Sequence, residues 1–213
     1  MDLFTEQIKT QLKGILHKLQ NKVTIAIFTQ EFECDTCRET HEFLDEFVAL
    51  SDKLELTVFD FKKDKALAEK YGVDKIPAMV ILTADGKDNG IRFFGLPGGY
   101  EINSFISSLI EVSGQKHELN AKLMKRIEKI KKDVRIQVFI TLGCPHCPGA
   151  VSNAHHLAML NDHVSADMVE AQTFTTESIK YSVSAVPKII INEKHELVGN
   201  QPIEKYLEII ENL

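Results

Sequence analysis

The sequence has no tryptophan, only four tyrosines and no dense basic tract, and its 25 Lys and Arg against 31 Asp and Glu leave a net charge of −6. A nucleic-acid partner needs a basic footprint and, for single strands, aromatic platforms, so none is expected. No run approaches the roughly 18 apolar residues of a membrane-spanning helix. The opening MDLFTEQIKTQLKG alternates charged and apolar residues where a signal peptide keeps an unbroken apolar stretch. The expectation is a cytoplasmic protein with no membrane partner. Disorder is set aside as well, because 44% of residues are hydrophobic and 26% charged. The 21 Lys against four Arg are compatible with a thermophile. Cysteine is scarce too: four in 213 residues are too few for a disulfide scaffold, and they fall as two C-x-x-C pairs, Cys34/Cys37 and Cys144/Cys147. A chain of this length accommodates two domains of about 100 residues each.

The pairs lie 110 residues apart, and so do Pro77 and Pro187, each 43 residues after its first cysteine. The text around the prolines matches in register: Tyr71, Val73 and Ile76 recur as Tyr181, Val183 and Val186. Upstream the offset becomes 111, aligning Val23, Ile25, Ile27 and Phe28 with Val134, Ile136, Val138 and Phe139, so a loop before the first pair carries one extra residue. An internal duplication is the economical reading, with units over 1–113 and 114–213 and a break near Ser113-Gly114-Gln115. The break has no Gly/Ser-rich or Pro-rich spacer, so the units are expected to pack together.

Each copy opens with an amphipathic helix, marked by Ile8, Leu12, Leu16 and Leu19 or by Leu119, Leu123, Ile127 and Ile130. The order then reads strand, C-x-x-C, helix, strand, helix, proline, strand, strand, helix. Asp85-Gly86 and Asn89-Gly90 are turn signals that give the first copy a longer hairpin loop. Helices between short apolar strands point to an α/β unit with a parallel crossover and a terminal antiparallel hairpin.

That order, with C-x-x-C at a strand-to-helix junction and a proline opening the next strand, resembles the thioredoxin fold, twice. Two fused units that keep both pairs, Cys34-Asp35-Thr36-Cys37 and Cys144-Pro145-His146-Cys147, resemble the protein disulfide oxidoreductases, glutaredoxin-like proteins found largely in thermophiles. The resemblance implies a tandem of thioredoxin-like units, each a central mixed sheet flanked by helices. It also implies thiol–disulfide exchange on protein disulfide or dithiol substrates and a flavin-dependent, thioredoxin-reductase-like electron donor. No cofactor is implied. The related N-terminal domain of the alkyl hydroperoxide reductase flavoprotein normally keeps only its second pair, so the intact Cys34/Cys37 argues against that relative.

A cysteine at a helix start meets unpaired N–H groups and the positive end of the dipole, which favour its thiolate. Cys34 and Cys144 are therefore the expected nucleophiles. Cys37 and Cys147, one turn on, are placed to resolve the mixed disulfide. The resemblance gives Ile76-Pro77 and Val186-Pro187 a substrate-binding role: cis peptides there bring a backbone edge beside the sulfurs, where an extended segment can pair. His146, between the second cysteines as in the oxidant DsbA, favours a thiolate at Cys144, whereas an anionic Asp35 disfavours one at Cys34. The second site is expected to be the more oxidising.

Three rival readings carry less weight. A shared zinc ion needs pairs closer than the 106 residues between Cys37 and Cys144. A partner-binding module would leave the thiols idle. An electron carrier between a flavin-dependent reductase and a peroxidase would use the same cysteines. No metal ligation is expected. His41, His155, His156, His163 and His195 read as ordinary surface or helix residues, and Lys62 to Lys65 as a solvated face. Asp60 and Glu170, at equivalent positions, read as surface carboxylates. Gly98-Gly99 and Gly199-Asn200 fall where glutaredoxins bind glutathione, but neither reproduces the full glycine-glycine-aspartate pattern.

Overall fold

The computed structural model describes residues 3–115 and 119–213. The first copy runs α1 (Glu6–Leu16), β1 (Val23–Thr29), α2 (Cys37–Val48), β2 (Leu54–Asp60), α3 (Lys65–Lys70), β3 (Ala78–Thr83), β4 (Asp88–Phe94) and, after a 3-10 turn over Gly99–Glu101, α4 (Ile102–Val112). The second repeats it with α5 (Ala121–Ile127), β5 (Val134–Ile140), α6 (Cys147–Leu160), β6 (Val164–Glu170), α7 (Thr175–Lys180), β7 (Lys188–Ile191), β8 (His195–Val198) and α8 (Ile203–Ile210). Thr5 and Asn120 cap the opening helices by accepting the Ile8 and Leu123 N–H groups. Leu19, Leu119 and Ile130, expected in those helices, lie outside them, with Leu19 and Ile130 still buried.

Within each copy the first two strands pair parallel and the last two form an antiparallel hairpin. The copies do more than pack side by side. β4 pairs parallel with β6, Ile91 opposite Ala166 through Phe94 opposite Val169, so one eight-stranded sheet runs β2-β1-β3-β4-β6-β5-β7-β8. Asn89-Gly90, expected as a turn, lies inside β4. Gly90 has φ +76°, and a Cβ there would stand 2.6 Å from the Val164 carbonyl oxygen. Its bareness lets the second copy approach.

Alternate side chains along each strand face opposite sides. On one side Ile25, Ile27, Phe93, Val138 and Met168 join Phe47, Phe105, Val151 and Leu157 from the longer helices in a core common to both copies. On the other, Phe28, Val80, Phe94, Phe139 and Val169 lie under Tyr71 and Phe174. His155 and His156 are not surface residues. α6 packs against α4, which buries both rings: His155 bonds Ser108 at 2.9 Å and meets the Phe93 ring edge-on at 4.8 Å, while His156 Nδ1 lies 3.1 Å from Glu111. Burial pushes the His155 imidazole down to about 3, so it is neutral.

Candidate functional site

Both C-x-x-C pairs sit where a buried strand gives way to a helix. Each is closed as a disulfide, Cys34–Cys37 and Cys144–Cys147, with Cα atoms 5.5 Å apart. Cys37 and Cys147 are the first residues of α2 and α6. Cys34 and Cys144 precede the helices, each joined by its disulfide to the first helical residue. In each pair the second cysteine is fully enclosed, 1% exposed at Cys37 and 0% at Cys147. Cys34 is half-buried and Cys144 7% exposed, so the first member of either pair is the less enclosed one.

The Ile76-Pro77 and Val186-Pro187 peptides are cis. They lead into β3 and β7, which lie against β1 and β5 with Ala78 opposite Phe28 and Lys188 opposite Phe139. Among the described residues neither Ile76 nor Val186 uses its N–H or C=O in a backbone hydrogen bond, so both edges are open. Asp35 and His146 are exposed between their cysteines, and neither side chain makes a hydrogen bond or ion pair with a described residue.

Beyond the cysteines the sites differ. Glu33, beside Cys34, takes a left-handed φ of 57° and accepts a 2.8 Å ion pair from Lys62, whose ammonium also lies 4.6 Å above the Phe32 ring. That lysine comes from the stretch read as a solvated face. A cavity of about 680 Å³ flanks Cys34 here, bordered by Phe32, Arg38, Val58 and Phe59. At the second site Gly143 replaces Glu33, and the first copy supplies a wall: the Tyr100 N–H donates to the Leu142 carbonyl at 3.0 Å. Gly99, at φ +55°, has Leu142 where a Cβ would stand. The Gly98-Gly99 stretch is thus occupied by the joint between copies.

One group beside this joint has no counterpart among the sites expected from the sequence. Glu101 ends the 3-10 turn that packs on α6, is 0% exposed, and accepts a hydrogen bond from the Ser104 hydroxyl while its Oε1 has no partner among the described residues. Burial raises its carboxyl to about 7, against the Ser104 bond that lowers it. In sequence it is one more acid ahead of a helix. The equivalent acids Asp60 and Glu170 also part company. Asp60, on the edge strand β2, is partly exposed and accepts from the Lys62 and Lys63 N–H groups. Glu170 is not a surface carboxylate: β6 lies inside the joined sheet, so Glu170 is 4% exposed and bonds the Thr173 N–H and hydroxyl.

Fold and site together define a tandem thioredoxin-fold protein with two C-x-x-C disulfide centres. A thioredoxin-domain profile matches residues 134–211. The alkylhydroperoxide reductase component AhpF from Enterococcus faecalis (V583), a C503A mutant, superposes with a TM-score of 0.92 at 32% identity over 98% of this chain and 100% of that one. A protein disulfide oxidoreductase from Aeropyrum pernix K1 does so with a TM-score of 0.89 at 26% identity, over 99% of this chain and 93% of that one. The AhpF protein of Pseudomonas aeruginosa is 28% identical over 96% of this chain and 36% of its own length. The chain belongs to the thioredoxin-domain family, in its tandem two-unit form. It spans about a third of the length of the curated relatives it matches. Both kinds of protein named by the sequence resemblance stand among the relatives, and the intact Cys34/Cys37 pair does not separate the chain from AhpF. No helix among the described residues is long and apolar enough to cross a membrane.

Proposed function

We propose that the protein is a cytoplasmic protein disulfide oxidoreductase whose two units, 1–113 and 114–213, each exchange disulfides with protein substrates. One observation carries the reading: at each site the less enclosed cysteine of a pair, its fully enclosed partner at the helix start and an unpaired backbone edge at Ile76 or Val186 occur together. Cys34 or Cys144 attacks a substrate disulfide, and Cys37 or Cys147 resolves the mixed disulfide, leaving the protein pair oxidised and the substrate reduced. Ile76-Pro77 and Val186-Pro187 hold the substrate strand, while Asp35 and His146 tune the thiolates. Insulin reduction with a dithiol donor tests this. Wild type should be active, Cys144→Ser should lose most of the rate, and activity unchanged in a Cys34→Ser/Cys144→Ser double variant overturns it.

The likeness to AhpF along nearly the whole chain favours a second reading, in which the same cysteines carry electrons from a flavin-dependent reductase to a thiol peroxidase. Reconstitution with such a reductase, a peroxidase and NADH separates the two. Peroxide-dependent NADH oxidation that needs Cys144 supports the carrier role, and its absence beside efficient insulin reduction rules that role out.

A further inference from the structure

The two copies are joined head to tail, so their reactive sites have unlike neighbours. Because β6 runs beside β4, the segment leaving β6 faces the Cys34 site. Its counterpart in the first copy leaves β2 at the outer edge of the sheet. Between the Cys34 loop and the Gln172–Glu177 segment lies a cavity of about 470 Å³, whose lining includes Cys34, Asp35 and Ile76 from one copy and Phe174 and Glu177 from the other. Neither this cavity nor the larger one beside Cys34 reaches Cys144.

Three carboxylates border this cleft and, among the described residues, no basic side chain does. Glu33 is neutralised by Lys62 at 2.8 Å. Asp35 and Glu177 have no ion-pair partner among the described residues. Lys75, whose ammonium lies 4.0 and 5.7 Å from the centroids of the Phe94 and Phe174 rings, is held by Asp74 at 2.6 Å. The free N–H and C=O of Ile76 give an extended chain a line to pair with, in a cleft that the carboxylates of Asp35 and Glu177 also border.

We propose that this cleft is the substrate wall of the first site and selects disulfide partners that carry lysine or arginine in the extended segment beside the reacting cysteine. The second copy thereby sets substrate choice at a cysteine it does not contain. The inference rests on thiol–disulfide exchange at Cys34. The Cys34 thiolate bonds one substrate sulfur while the other leaves as a thiolate. Cys37 then attacks Cys34, closing the protein disulfide and releasing the second substrate thiolate, so two electrons pass to the substrate and water supplies the protons.

The test uses the full chain as the Cys144→Ser/Cys147→Ser variant, reduced and freed of reductant, with two peptides that are mixed disulfides with thionitrobenzoate. They are alike except for two flanking lysines or two flanking glutamates. At low ionic strength the lysine peptide should react about tenfold faster, with the ratio shrinking as salt is added. Glu177→Gln should reduce that ratio and Glu177→Lys should bring it to about one or below. The Cys34→Ser/Cys37→Ser protein, reacting through Cys144, should show a ratio near one. Equal rates at the first site, or a ratio that Glu177→Lys leaves unmoved, overturn the inference while exchange stands. If neither peptide releases thionitrobenzoate from the first site, the exchange reading there falls and the inference with it.

Discussion

Arg135 of the second copy reaches across the joint to Asp74 of the first, its Nη1 2.9 Å from the carboxylate, while its Nε donates at 2.7 Å to Asp167 on the neighbouring strand β6. Asp167 is 2% exposed, and burial raises its carboxyl against the pull of Arg135. Removing the arginine strands a buried charge. Arg135→Met should destabilise the fold by about 2–4 kcal/mol, and most of that should return in Arg135→Met/Asp167→Asn. Denaturant melts of both variants check it; a single variant as stable as wild type shows that solvent replaces the guanidinium.

If exchange runs as proposed, mixed disulfides should accumulate through Cys34 in Cys37→Ser and through Cys144 in Cys147→Ser, since the variants keep the attacking cysteine and lack the resolving one. Mass spectrometry of trapped adducts reads this directly. Adducts at Cys37 or Cys147 in the reciprocal variants alone would reverse the roles.

Between the sites, the midpoint for thiolate formation should lie lower at Cys144, two residues before His146, than at Cys34, which Asp35 follows directly. Accessibility acts the other way, since Cys144 is the more enclosed of the two. In single-site proteins iodoacetamide should therefore give Cys144 the lower pH midpoint and the slower plateau rate. A lower midpoint at Cys34 shows that surroundings outweigh the dipeptide.

Glu101 links pH to stability. Its folded carboxyl titrates near 7 against the usual 4.5, so the folded state holds the proton more tightly. Stability from this group is full below about pH 4.5 and is lost as pH rises through 7, by at most about 3 kcal/mol. Glu101→Gln should flatten that decline, with its gain over wild type larger at pH 8 than at pH 5. His155 has the opposite sign: its folded imidazole sits near 3, below the usual 6.5, so its contribution is complete above about pH 6.5 and fades as pH falls toward 3. Thermal melts across pH 4–8 on Glu101→Gln and His155→Phe separate the two. Parallel curves for wild type and Glu101→Gln would show that the carboxyl is hydrated.

At the joint, Gly90→Ala should cost about 1–2 kcal/mol for the left-handed backbone alone. Pressure on the Val164 carbonyl adds to it. Gly86→Ala, equally left-handed at φ +78° but with open space around it, should show only the first part. Equal losses in the two variants would mean that the strands separate freely at Gly90.

The duplication, the strands before each cysteine pair and the helices after them could be read from the sequence because apolar spacing and C-x-x-C are local signals. The β4–β6 joint could not. Ile91 and Phe93 look like any hairpin strand, and a glycine that admits a neighbouring chain looks the same as one that turns. Glu101 was hidden because burial by a distant helix leaves no mark on its neighbours in sequence. His155 and His156 had a weak signal: α6 is apolar nearly all round at Ala150, Val151, Ala154, Leu157 and Ala158, the mark of a helix covered on several sides.

Joining by translation rather than by a two-fold axis has a consequence at the far edge of the sheet. Each copy offers a β2-type edge and a β4-type edge, unlike surfaces that fit head to tail and in principle without limit. Where β4 presents Ile91, Arg92, Phe93 and Phe94 to its neighbour, β8 has His195, Glu196, Leu197 and Val198 at the matching positions, in a strand of four residues against seven. Short, charged and exposed, β8 lacks the apolar edge with which β4 receives its neighbour, so the head-to-tail pairing has no matching surface on that side.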